Sequence, residues 1–250
     1  MTTVLSCDLE LHDSLYFATR EIGRLYETER VIHNYALCYA LGLVSSPYFT
    51  RLQTPSYRQD LSSLNERGVY VTPARALAAD FMLNTWKYAD DYYHGWNYTG
   101  HHLSPQKKQP PNNVPTFGRA KELAVESRFR FYIITHDSTL QPPRWIRMGK
   151  WMSKARLSCE RINEPPVRRS VFEVKHPLNP LDVFAAYTVT MCDLINMPPV
   201  SLINNARSEG EYFVIAPGGQ AEVCLPKNLS FSFEKNPLVS PSASEKGVDL

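Results

Sequence analysis

Along the first fifty residues the apolar positions Ile32, Tyr35, Ala36, Tyr39, Ala40 and Leu43 recur at helical spacing, and Gly42 stands where the run should stop. The spacing predicts a helix over about 30–42 that lays one face on a core. Short extended candidates fill residues 3–18 ahead of it, so the chain opens as strand then helix. Beyond the helix the period shortens to two. LNTWKYAD at 83–90 sets Trp86 and Tyr88 against Thr85 and Lys87, and SRFRFYII at 127–134 sets Phe129, Phe131 and Ile133 against Arg128, Arg130 and Tyr132. Both predict strands with one buried face. GRAKELAVESR at 118–128 spaces Glu122 and Glu126 so that they can pair with its bases along a helical turn. WIRMGKWMSKAR at 145–156, flanked by Pro142-Pro143 and Pro165-Pro166, predicts a strand pair around Gly149. Asn179, Pro180 and Asp182 match an N-cap, a first helical position and an early acid, which predicts a short helix. EYFVIAP and AEVCLP flank Gly218-Gly219 as a second hairpin.

Two stretches carry no packing pattern. Residues 94–118 are rich in Pro, Asn, Gly, His and Lys and are too long for a simple connection, so they are expected to be an inserted loop, exposed or disordered. Residues 236–250 have the composition of a frayed tail. No internal repeat and no linker divide the rest, so the expectation is a single α+β domain over 1–235. At 250 residues the chain is long enough to bury a real core. The longest apolar run, 35–44, is about half a membrane span, and the N-terminus lacks a basic, apolar leader pattern. Five cysteines with no CxxC spacing are most simply those of a reduced, cytoplasmic chain.

A net charge of +2 does not by itself point to nucleic acid, so the case rests on where the charges sit. Arg144, Arg147, Lys150, Lys154 and Arg156 fall in a stretch without acids and interleave with Trp145 and Trp151. Phosphates of a single strand suit such cations, and Trp151 is available for stacking. A solvated hairpin whose tryptophans face the core is the competing reading. Arg20 and Arg24, four apart, could clamp a phosphate, but Glu21, Glu27 and Glu29 neutralise that region; Arg119, Lys121 and Arg128 have Glu122 and Glu126 beside them.

No GxSxG, P-loop or HExxH pattern is present. His94, His101 and His102 lie near Asp90 and Asp91 without a cysteine, which favours a polar loop over a metal site. Lys175-His176 supplies the residue types of a metal-independent ribonuclease, or simply two polar residues closing a strand before Pro177.

Four segments together, YETERVIHNYALCYALGL (26–43), NERGVYVTPAR (65–75), GRAKELAVESRFRFYII (118–134) and WIRMGKWMSKA (145–155), resemble the Cas-five-type (Csc-one) subunit of type I-D CRISPR surveillance complexes, over about residues 14–235. The resemblance implies a core related to the RNA-recognition motif, ferredoxin-like βαββαβ, with a further strand-rich portion. It implies a non-catalytic subunit that binds the 5′ handle of the guide RNA beside the backbone and large subunits, with target DNA near the handle left open as a further contact. No cofactor, metal or membrane is implied. By position in the shared motifs, Arg147, Lys150 and Lys154 are expected on phosphates and Trp151 as a stacking or packing residue, with Arg20, Arg24, Tyr26, His33, Asn34 and Arg119 behind them. The alternatives are an endoribonuclease that processes repeat RNA through Lys175-His176, and a protein-only bridge.

Overall fold

A computed structural model describes residues 1–44, 55–88, 116–219 and 221–233. The expected tail lies outside them, as does the expected loop except for its last three residues, which already belong to a strand. The chain runs β1 (Thr3–Leu11), β2 (Arg20–Ile22), β3 (Leu25–Glu27), β4 (Val31–Ile32), α1 (Asn34–Ala40), α2 (Tyr57–Glu66), β5 (Val69–Val71), β6 (Ala74–Ala78), β7 (Phe81–Tyr88) and β8 (Thr116–Leu123). It continues through β9 (Arg128–Thr135), β10 (Trp145–Met148), β11 (Ser153–Asn163), β12 (Val167–Val174), α3 (Pro180–Phe184), β13 (Val189–Ile195), β14 (Leu202–Ile215) and β15 (Val223–Pro226).

Three sheets result. The largest has the order β10-β11-β1-β9-β6-β4, with β5 also on β9, and all its pairings are antiparallel. The second is β2-β3-β8-β7, and the third is β12-β14-β13 with β15 on β14. The architecture is therefore mostly β. A βαββαβ unit needs a helix between the strands in the places of β9 and β11, and residues 136–152 instead form turns and β10, so the full ferredoxin-like pattern is not realised.

Burial explains where the periodicity reading holds and where it fails. In β9 Phe129, Phe131 and Ile133 are fully buried, each stabilising the fold by about 1.5–3 kcal/mol. The opposite side of the strand is buried as well, Tyr132 by packing and Arg130 through two bonds to Asp8 at 2.6 and 2.8 Å, so the expected polar face is corrected. The strand predicted at 83–90 exists as β7, with Thr85 and Lys87 exposed as expected; on the expected inner face Trp86 is half-buried and Asn84 exposed, and the Tyr88 side chain lies outside the described residues. Residues 118–123 are strand, not a helical turn, because they pair with β7 on one side and β3 on the other.

Helix α1 begins at Asn34 rather than near 30, since Val31 and Ile32 pair with β6 and the His33 side chain caps the first turn. It ends at the predicted place, with Gly42 at φ +68°. Both predicted hairpins and the Asn179-capped helix form as expected. The fully reduced chain does not: Cys7 and Cys159 face each other across β1 and β11 and are joined in a disulfide, while Cys38, Cys192 and Cys224 are free. The two partners are 152 residues apart, a juxtaposition that spacing cannot reveal.

Candidate nucleic-acid interface

The β10–β11 hairpin sorts its residues by face. Ile146, Met148, Ser153 and Ala155 point inward and are buried; Trp145, Arg147, Lys154 and Arg156 point outward and are exposed. Register places Arg147 opposite Lys154 and Trp145 opposite Arg156. Lys154 Nζ stands 4.2 Å from the Trp145 ring centroid, and the Arg147 guanidinium donates to the Met152 carbonyl at 3.1 Å. The mixture of bases and aromatics is thus a strand pair with an apolar inner side and a cationic, aromatic outer side.

Its freedom from acids in sequence does not survive folding. Strand β1 brings Glu10 to Arg156 at 2.6 Å, and Asp13 accepts from the Lys154 backbone N–H at 2.9 Å. The outer side nevertheless remains basic, because cross-strand pairing continues it through Arg128 opposite Glu10, then Arg130 opposite both Asp8 and Arg75. Arg75 and Arg130 escape the sequence reading, and Arg128 enters it only with the bases of 118–128, because only register aligns the three with the hairpin; the alternation of arginines in 128–130 is the one local signal.

The turn forms a corner. Gly149 has φ +80°, and a Cβ there would fall 2.6 Å from Leu15 Cδ1 and 2.9 Å from the Tyr16 carbonyl oxygen, so only glycine lets the turn lie this close. The Lys150 N–H donates to that same carbonyl at 2.9 Å. Trp151, 49% exposed, places its ring 4.6 Å from that of Tyr16. Lys150 is exposed, with no ion pair among the described residues, at the rim of a hollow of about 220 Å³. Phe17, Ala36, Tyr57, Met197, Pro198 and Pro199 form its walls. Nothing in the local sequence signals these walls, which come from four separate segments.

The remaining sequence candidates divide. Arg24 and Arg119 are exposed neighbours on the second sheet, where the Arg119 N–H donates to the Arg24 carbonyl at 2.9 Å. Arg20 is tied to Glu29 at 2.9 Å and Glu27 at 3.5 Å. Tyr26 is half-buried, its ring 6.0 Å from Trp86, which fits against the bare backbone of Gly118. It also lies close enough to Tyr16 to add to the burial that raises the Tyr16 phenol above its usual range.

His33 and Asn34 are corrected to structural roles. His33 Nδ1 accepts from the Tyr35 N–H at 3.2 Å and Nε2 lies 3.1 Å from the Val200 carbonyl, so both nitrogens are spent and burial lowers the imidazole pKa to about 3. Asn34 is fully buried and donates to Asp182 at 3.1 Å. Asp182 also accepts from Tyr70 and from the Ser232 N–H, and burial raises its carboxyl to about 7.

Lys175 and His176 do not converge on a reaction site. Lys175 is exposed, whereas His176 is buried, its Nε2 2.8 Å from the Pro73 carbonyl and 2.9 Å from Thr72 Oγ1. Burial lowers that imidazole to about 3 as well. Among the described residues no group of three or more His, Cys, Asp or Glu could hold a metal ion; His94, His101 and His102 lie outside them. No helix among the described residues is long and apolar enough to cross a membrane.

The family model described as type I-D CRISPR-associated protein Cas5/Csc1 matches residues 2–234. No curated protein sequence matches the chain. Among solved structures, a chain of the type III-B Cmr-beta complex bound to cognate target RNA and AMPPnP aligns with TM-score 0.43 at 9% identity, covering 82% of this chain and 86% of its own. A CRISPR protein from Archaeoglobus fulgidus aligns with TM-score 0.35 at 9% identity, covering 90% and 99% respectively.

Proposed function

The chain belongs to the type I-D CRISPR-associated Cas5/Csc1 family, and from that premise we propose that it is the non-catalytic subunit of a cytoplasmic effector complex that binds the 5′ handle of the guide RNA. In this role it helps nucleate the complex beside the backbone and large subunits. The observation that carries the reading is the outward side of β10–β11 with its turn, where Trp145, Arg147, Lys150, Trp151 and Lys154 are exposed together. A single RNA strand offers phosphates to such cations and unstacked bases to such rings. The helix-bearing crossover from β1 to β5 supports relating the core to one half of the RNA-recognition motif.

Non-catalytic action is supported by the state of His176. A general acid or base must come within about 2.6–3.2 Å of the proton it moves, and this imidazole is enclosed and already bonded to Pro73. Purified protein mixed with repeat RNA, with and without divalent metal, should leave it intact. Specific cutting that disappears in His176→Ala would overturn this part. Co-purification of tagged protein with its genomic neighbours, followed by sequencing of bound RNA, tests the rest: guide RNA with its handle is expected, and a complex assembled without RNA contact would identify a bridge instead.

A further inference from the structure

We propose that the hollow at the β10–β11 turn takes one unstacked base of the RNA strand, with Lys150 on the adjoining phosphate. This rests on the RNA-binding reading above and adds to it a place, an orientation and a mode of recognition. The hollow's volume, about 220 Å³, is several times the roughly 30 Å³ share of a water molecule yet below the about 300 Å³ at which pockets for drug-sized ligands begin. It is the scale of a single ring system. Phe17, Tyr57, Met197 and the two prolines give it flat or polarisable walls, and among the described residues no acid lines it.

The chemistry of the rim selects the occupant. Lys150 is the cation among the lining groups, and Trp151 beside it forms a ring pair with Tyr16, a second flat surface next to the opening. Arg147 and Lys154 follow on the outer side of the hairpin. A strand entering here would leave one base in the hollow, find a stacking platform beside it and carry its phosphates toward the basic sheet. An apolar side chain from a protein partner would fill the hollow but would make no use of this series of cations and rings.

The mode of recognition also follows. His33 and Thr19 also line it: the His33 nitrogens are already committed to Tyr35 and Val200, and the Thr19 hydroxyl donates to the Glu27 carbonyl and accepts from the Glu29 N–H. These two polar groups are therefore already engaged within the fold. The hollow accepts a base by shape and stacking, so it should tolerate changes of base identity and fail on removal of the base.

An abasic scan through the handle tests this, with guide RNA affinity measured for wild-type protein and for two filled variants, Ala36→Phe and Ala18→Trp, whose melting temperatures are taken alongside. Stacking of one base corresponds to about a tenfold change or more. In wild type one abasic position should lower affinity by about that factor, while exchanging the base there changes little. In a stably folded filled variant the intact RNA should bind as weakly as that abasic RNA, and the same abasic replacement should cost nothing further. Even costs along the handle, filled variants that bind like wild type, or filled variants that keep RNA and lose a protein subunit would each overturn the proposal. Wild-type protein that binds no guide RNA would sink the underlying RNA-binding reading, a separate outcome.

Discussion

Two hairpins of this molecule have similar ingredients and opposite fates. Both the 20–27 hairpin and the 145–156 hairpin combine arginines with aromatic residues around a glycine turn. In the first, Arg20 is held by Glu27 and Glu29, and Lys121 from β8 also closes on Glu27, so much of the positive charge is cancelled within the sheet while Arg24 stays exposed at the turn. In the second, Arg156 alone among the described residues is paired with a carboxylate across the sheet, while Arg147, Lys150 and Lys154 are exposed. Cross-strand partners, not local composition, decide whether a basic segment keeps its charge at the surface.

The largest effect that sharpens this contrast is expected from acid, because His33 stands behind the 145–156 turn and, among the described residues, no buried histidine stands behind the other hairpin. The folded pKa values of His33 and His176 are lowered to about 3, so below about pH 6.5 the unfolded chain gains protons that the folded chain refuses. Their contribution is full above 6.5 and is lost as pH falls toward 3. Asp182, raised to about 7, runs the other way: its contribution is full below about 3.8 and is lost as pH rises through 7. Two histidines outweigh one carboxyl, so urea unfolding should show stability falling by a few kcal/mol between pH 6.5 and 4. A flat or rising profile would contradict these assignments.

A smaller effect separates stacking from packing at the turn. Trp151→Ala should weaken guide RNA binding by about 1–3 kcal/mol and hardly move the melting temperature, since the side chain is half exposed. A stability loss of about 3–5 kcal/mol would mark it as core instead. The smallest effect is expected at the other hairpin. Arg20→Ala removes exposed ion pairs that stabilise by at most about 1 kcal/mol, and RNA affinity should stay close to wild type. A loss of affinity matching that of a 145–156 lysine would erase the distinction between the two regions.

Much of the fold was legible locally. The Ile32-to-Leu43 periodicity, the Asn179-Pro180 cap and the two glycine turns each encode their element within a dozen residues, and each forms. The errors lie where distant strands intervene. The acidic and basic spacing of 118–128 suits a helix, but β3 and β7 recruit the segment as a central strand. His33 and Asn34 share a segment with surface candidates, yet Val200 and Asp182, from far along the chain, draw them inside. Of the ten proposed contacts, the four in the 145–156 segment are brought together on one exposed hairpin, where strand alternation itself separates the faces. The hollow beside Lys150 had no local signal at all, being assembled from four segments.

The central claim, that the 145–156 hairpin grips guide RNA through its phosphates, is tested most directly by affinity against salt concentration for wild type, Lys150→Ala, Lys154→Ala and the double variant. Each lysine on a single-strand phosphate contributes about 0.7 to the slope of log affinity against log salt. Each single variant should therefore bind more weakly with a slope shallower by about that amount, the double variant should lose both contributions, and unrelated handle sequences should be affected alike. A double variant with unchanged affinity and unchanged slope would contradict the claim.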